Sequence, residues 1–248
     1  MSKSRLVLAV LSLALVFGAA PRASHAAAMD DISTANQSGK IVFLVLTDAA
    51  GKNLEAARNA AKAAQARTPD SVVVEMNRSD PAQAEAVKKY RVKSAPVPLV
   101  LVIGQNGTAA GASLVKKGAV ERLVKLTPTP GKSEYLKVLE QKQTAVVIFS
   151  HKKMPKQSPL FENVSKVVQE TKGKVAPVLI DVTDPKEKKL LTEWDIDTKS
   201  AEPTVVVMNP KGQTLGRMSG APTAAQIIET SKKKPCCGNP ACKGCRNK

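Results

Sequence analysis

Residues 1–235 of this 248-residue chain contain no cysteine. Disulfides, thiolate nucleophiles and cysteine-held metals are therefore excluded from almost the whole chain. Histidine is scarcer still, with His25 and His151 alone, which excludes a zinc held by several imidazoles. Aromatics are few: one Trp, two Tyr and four Phe, none of them interleaved among the basic clusters. Stacking platforms for nucleic acid are missing. No phosphate-cradling glycine loop is present either, because Gly104-Gln105-Asn106-Gly107 reads as a hairpin and not as a strand-to-helix turn. Acidic residues are outnumbered 38 to 21 by Lys and Arg. That charge implies weak, salt-sensitive attraction to anionic surfaces. With 43 % hydrophobic and 24 % charged residues, the composition is that of a folded protein.

Long apolar runs are also lacking, with one exception. Lys3 and Arg5 precede the uncharged run Leu6–Ala20, and Ser24, Ala26 and Ala28 place small residues for cleavage after Ala26 or Ala28. A spanning helix needs roughly 20 apolar residues, and Pro21-Arg22 ends this run short of that. Residues 1–26 thus read as a secretory signal, and the chain as exported, to a periplasm or the extracellular space. No transmembrane segment is expected in the mature chain. Removing the signal leaves His151 as the single histidine.

The remainder is duplicated. Asp80-Pro81-Ala82-Gln83 matches Asp184-Pro185-Lys186-Glu187; each follows an apolar strand beginning 40 residues earlier, at Lys40 and Thr144. Tyr90 and Trp194 come ten residues after these aspartates, followed by Val92 and Ile196, by Pro98 and Pro203, and by glycine turns at Gly107 and Gly212. The offset is 104 to 105 residues throughout.

Within a unit, Ile41–Leu46 and Ala145–Phe149 are unalternating apolar runs, as expected of strands buried on both faces. Leu54, Ala57, Ala61 and Ala64 fall at helical spacing; in the second copy Ser158-Pro159 reads as a helix start before Leu160, Val164 and Val167. Second strands are expected at Val72–Val74 and Val178–Ile180. Asp80 and Asp184 cap the next helices, with Gln83 and Glu187 placed to complete capping boxes. Strand pairs opened by Leu99–Ile103 and Thr204–Met208, then helices near Val120–Leu126 and Ala224–Ile228, close each unit. Thr127-Pro128-Thr129-Pro130-Gly131 separates the copies, and Ser133–Gln141 reads as a helix leading into the second.

This order, with the segments Lys89-Tyr90-Arg91-Val92 to Pro98 and Glu193-Trp194-Asp195-Ile196 to Pro203, resembles the thioredoxin fold across about residues 36–126 and 133–231. The expected architecture is α/β: two tandem thioredoxin-like domains, each a central mixed sheet flanked by helices. The domains are placed at 29–126 and 133–231, with a linker at 127–132 and an irregular basic Cys-rich tail at 232–248. The resemblance implies cis bonds before Pro98 and Pro203. It also implies that Val97-Pro98 and Glu202-Pro203 form unpaired edges where an extended peptide adds hydrogen bonds. The departure from the family lies in the turn after each first strand. Thioredoxins carry Cys-x-x-Cys there, whereas this chain has Thr47-Asp48-Ala49-Ala50-Gly51-Lys52 and Ser150-His151-Lys152-Lys153-Met154-Pro155. Thiol–disulfide exchange at these turns is excluded, and His151 beside Ser150 reads as a loop histidine, not a base.

All sulfhydryl chemistry is confined to Cys236, Cys237, Cys242 and Cys245. Four thiols with one Cys-x-x-Cys half suit zinc or copper. Two disulfides are the usual outcome for an even count outside the cytoplasm, and adjacent Cys236 and Cys237 do not readily face one ion. A reactive or partner-linking role is the third possibility, and the Lys232-Lys233-Lys234 lead-in is expected to lower thiol pKa values and so favour reactivity under any of the three. The sequence thus points to a non-catalytic exported binding or scaffold protein with a protein or peptide partner. Two alternatives stand beside it: an oxidoreductase using Cys242 and Cys245 as a mobile redox pair, and zinc or copper delivery by the tail.

Overall fold

The computed structural model describes residues 28–51 and 54–235. The signal segment and all four cysteines lie outside the described residues.

Two four-stranded sheets are present, built to one plan. In the first, β1 (Ile41–Thr47) pairs in parallel with β2 (Ser71–Asn77) and antiparallel with β3 (Leu99–Ile103), which pairs with β4 (Ala109–Leu114). In the second, β5 (Thr144–Ser150), β6 (Val175–Asp181), β7 (Thr204–Met208) and β8 (Thr214–Ser219) repeat these pairings. Strand order is β2-β1-β3-β4 and β6-β5-β7-β8, and each closing hairpin has its irregularity at the same place, Val102/Ile103 and Val207/Met208.

The helices are α1 (Ala28–Gln37), α2 (Leu54–Ala66), α3 (Ala84–Lys89) and α4 (Ala119–Leu126), then α5 (Pro130–Glu140), α6 (Gln157–Glu170), α7 (Lys188–Glu193) and α8 (Ala224–Ser231). The central strands carry unbroken apolar runs because both sheet faces are covered. On one face of the first sheet, Leu44, Leu46 and Leu101 pack with Ile32 and Tyr90; on the other, Phe43, Val45 and Val100 meet the alanine stripe Ala57, Ala60, Ala61 and Ala64 of α2. Such small side chains bring the helix close to the sheet. In the second domain Leu160, Val164 and Val167 of α6 fill the same position. Its other face is aromatic: Trp194 lies 5.3 Å from both Tyr135 and Phe149, tilted to one and edge-on to the other.

Helix ends account for most differences from the sequence reading. Asp80 and Asp184 do cap, each accepting a backbone N–H two residues on, from Ala82 at 2.9 Å and Lys186 at 2.8 Å. Gln83 and Glu187 do not complete these boxes. Both are buried and reach instead to the helix that leads into their own domain: Gln83 Oε1 accepts from Ala28 N at 2.8 Å and Glu187 Oε1 from Gly131 N at 2.7 Å. Each satisfies one of the orphan donors of a first turn. The helix before β5 starts three residues ahead of its expected position, because Thr129 accepts from Lys132 N and Pro130 occupies N1. Helix α6 likewise begins at Gln157, with Lys156 in a left-handed cap at φ 65°, so Ser158 and Pro159 sit inside its first turn. Helix α1 was not legible, since only Ala28, Ile32 and Ala35 of its residues are buried.

The domains meet along α5 and the β3–β4 turn. Asn106 Nδ2 donates to Ser133 O at 2.7 Å, and Thr108 Oγ1 donates to Glu140 at 3.2 Å. Gly104 makes room here: a Cβ would stand 2.5 Å from Ser133 Oγ and 3.2 Å from Ser133 Cβ, so the serine would have to shift. Across the junction Lys189 Nζ donates to the carbonyls of Val124, Lys125 and Thr127, at 3.2, 2.8 and 2.7 Å, closing the C-terminus of α4. Burial, reinforced by the Lys132 charge, lowers the Lys189 pKa.

Both tyrosines of the chain are core residues, which gives a pH prediction. Burial, then the Glu140 charge, pushes the Tyr90 phenol up to about 12. Burial, then Glu193, raises Tyr135 further. A raised folded pKa favours the native state fully below the ordinary phenol value near about 10, and the benefit is lost as pH climbs through the folded value. Spectrophotometric titration should therefore show no tyrosinate at pH ~10.5, where free phenols are mostly ionised. Tyrosinate should appear together with alkaline unfolding.

Candidate functional site

The turns that follow β1 and β5 lie at the C-terminal ends of the two central strands, beside the loops that carry Pro98 and Pro203. In the first domain Arg78, just past β2, organises this corner. Its backbone N–H donates to Thr47 O at 3.0 Å. Its guanidinium donates to the Ala95 carbonyl and, at 3.4 Å, to Asp48 Oδ2. Both partners of that ion pair are largely covered, with side chains 21 % and 28 % exposed. Asp48 is also fixed from its own side, accepting Ala50 N at 3.1 Å. The loop leading to Pro98 is thereby pinned at Ala95. The Val97–Pro98 bond is cis. Among the described residues the backbone N–H and C=O of half-buried Val97 have no hydrogen-bond partner.

The second domain closes the same corner. The Glu202–Pro203 bond is trans, correcting the expectation of a second cis proline. The edge at Glu202 is also not open: Ser200 Oγ accepts from Glu202 N at 3.1 Å and donates to Glu202 O at 3.0 Å. Pro203 is buried, and its carbonyl accepts from Gly220 N at 2.8 Å. Lys156 pairs with the Glu202 carboxylate above it. The serine two residues ahead satisfies the groups that an extended peptide would use.

Nor does a nucleophile–base pair form here. Ser150 Oγ is buried and accepts from Gln157 Nε2 at 3.2 Å, while His151 Nδ1 accepts from Lys153 N at 3.2 Å. With Nδ1 accepting, the neutral ring carries its proton on Nε2, which then has no lone pair to take a proton from a serine. The neighbouring Asp181 carboxyl lies below its ordinary range, held first by hydrogen bonds from the Thr183 hydroxyl and backbone and then by the His151 and Lys152 charges. Among the described residues no cluster of three or more His, Cys, Asp or Glu forms a metal site. No helix among them is long and apolar enough to cross a membrane. The candidate ligands Cys236, Cys237, Cys242 and Cys245 lie outside the described residues. Of the four proposed peptide-edge residues, the structure leaves Val97 and Pro98 open and engages Glu202 and Pro203 internally. Sequence reasoning missed Arg78 and Ser200; nothing in their local sequence distinguishes them from solvated polar residues.

No protein-family model matches the chain, and no curated protein matches it in sequence. Solved structures do. It is similar to an N-terminal domain of alkylhydroperoxide reductase AhpF from Enterococcus faecalis, at 15 % identity over 81 % of this chain and 97 % of that one, TM-score 0.29. It is similar to zinc-bound human ERp44, at 9 % identity over 83 % of this chain and 57 % of that one, TM-score 0.33. The first two thioredoxin domains of Saccharomyces cerevisiae Eps1p align at 9 % identity over 84 % and 97 %, TM-score 0.31. The chain spans little more than half the length of the ERp44 structure. Strand order and connections, present twice, define the class: two tandem thioredoxin-like domains.

Proposed function

We propose that this is an exported, non-catalytic thioredoxin-fold protein that holds an extended peptide at Val97, with the second domain acting as a support. The observation carrying this reading is the contrast between the two corners: the Val97 N–H and C=O lack partners among the described residues, whereas those of Glu202 are both bound by Ser200. A main-chain donor and acceptor on one residue at a sheet end bind an extended chain without demanding a particular side chain. Thiol–disulfide catalysis at either corner finds no support, since neither turn carries a cysteine. Titration of the full chain with a panel of unstructured peptides tests the reading. Binding is expected, and Val97→Pro, which removes the donor, should weaken it at least about tenfold, the worth of a hydrogen bond near 1.4 kcal/mol. Ser200→Ala, which frees the Glu202 N–H and C=O, should leave the affinity of the Val97 edge itself unchanged.

The tail then serves as an independent thiol-bearing appendage. Because no cysteine precedes Cys236, ending the chain after Lys234 should leave the unfolding midpoint of both domains unmoved while abolishing thiol reactivity and any bound zinc or copper. A fall in thermal stability on truncation would show that the tail staples the fold. Insulin reduction lost in Cys242→Ser/Cys245→Ser would replace the binding reading with the redox one.

A further inference from the structure

The two copies of the unit differ in charge at one corner, and only in the first copy does that corner face the other domain. Helices α3 and α7 end in Lys89-Tyr90-Arg91 and Glu193-Trp194-Asp195 respectively. The second version is internally matched: Glu193 pairs with Lys132 at 3.0 Å, and Arg217 donates to the carbonyls of Trp194 and Asp195 at 2.9 Å. In the first, the residue in the place of Arg217 is Ala112 and that of Lys132 is Met29. Lys89 and Arg91 instead line a cleft of about 450 Å³ at the domain junction, joined by Lys142 from the α5–β5 turn and Lys211 from the β7–β8 turn. None of these four cations has an acidic partner among the described residues. The single carboxylate of the lining, Glu140, accepts from Thr108 at 3.2 Å.

Helix capping does not explain the cluster. The last-turn carbonyls are already taken by backbone donors: Tyr90, Arg91 and Val92 donate to Ala86, Lys88 and Val87, and Gln141, Lys142 and Gln143 to Lys137, Leu139 and Val138. Where a lysine does cap, as Lys189 caps α4, its three bonds are formed. Lys142 also adopts φ 59°, whereas the matching residue after α1 is Gly39 at φ 67°. A cation therefore stands where the backbone favours glycine. Lys89 lies over the Tyr90 ring, 5.2 Å from its centroid, and Leu139 and Ala109 give the cleft an apolar wall.

The geometry points to a site for a compact multivalent phosphate ligand in this interdomain cleft, held by Lys89, Arg91, Lys142 and Lys211. Four cations against one carboxylate give the cleft lining a net positive charge that a polyanion would neutralise, and Lys and Arg side chains together suit phosphoryl oxygens. The site is independent of the Val97 edge.

Calorimetric titration of the full chain with tripolyphosphate, and separately with a nucleoside triphosphate, tests the proposal. Saturable binding of one equivalent is expected. Lys142→Gly, which installs the residue that Gly39 represents in the first copy, should weaken it about tenfold, as should Lys89→Glu with Arg91→Asp. Lys166→Gln on α6, and Lys243→Gln with Arg246→Gln in the tail, should not. Tighter binding of the nucleotide than of tripolyphosphate would assign the apolar wall to a base or sugar; equal affinity would assign the site to the phosphates alone. Absence of binding at millimolar ligand in low salt would overturn the inference. So would binding that survives both cleft variants or falls equally with the Lys166 and tail variants.

Discussion

Trp194→Ala is expected to cost about 3–5 kcal/mol, the largest single loss available in the molecule. Trp194 is 1 % exposed, and its removal empties the space between Tyr135 and Phe149, whose rings each lie 5.3 Å from it. Two ring contacts, worth ~0.5–1.5 kcal/mol each beyond area burial, disappear with the apolar surface. The loss should fall on the second domain. Sheet order and core clusters are separate in the two domains, so denaturant unfolding should split into two transitions, with the one followed by Tyr90 moving less. An undivided transition shifted by the full amount would mean that the α5 junction couples the domains into one cooperative unit. Tyr90→Ala in the first domain should cost less: its core partners are aliphatic, and its hydroxyl makes one bond, to Gly107 O at 3.2 Å.

Arg78→Ala should have the second-largest effect, and on binding more than on stability. Its guanidinium joins the Ala95 carbonyl to Asp48, tying the loop before Val97 to the turn after β1. Hydrogen bonds to charged groups contribute about 1.5–3 kcal/mol, and with the side chain 21 % exposed the lower part of that range applies to stability. Freed at Ala95, the loop no longer presents Val97 in one geometry, so peptide affinity should fall roughly tenfold or more. Arg78→Lys should not rescue it, because a single ammonium does not span both acceptors in the guanidinium's fork geometry. Recovery of binding in Arg78→Lys with unchanged affinity would assign the residue a charge role only.

Much of this fold was readable because duplication repeats the same local physics twice. Asp80-Pro81 and Asp184-Pro185 announce helix starts through a side-chain acceptor and a fixed φ, and the unalternating runs at Ile41 and Ala145 announce strands covered on both faces. Ser200 and Arg78 were not readable. Their bonds connect a loop to itself or to a strand end in three dimensions, and a serine or arginine in a polar stretch has no periodicity to betray it. Gln83 and Glu187 were misassigned for the same reason. Capping-box spacing fits them, yet the donors they satisfy belong to helices more than fifty positions earlier in the chain, at Ala28 and Gly131. The charge exchange between Lys89-Tyr90-Arg91 and Glu193-Trp194-Asp195 was visible in the sequence, but its meaning depends on the domain junction that places only the first beside a cleft.

Hydrogen exchange at individual backbone amides, measured on the full chain with and without a bound peptide from the panel, distinguishes the two proline-flanked edges. The Val97 amide, exchanging freely in the unbound protein, should become strongly protected on binding, while the Glu202 amide, already bonded to Ser200, should change little. Protection centred on Glu202, or peptide binding that leaves Val97 exchanging as before, would contradict the Val97 assignment.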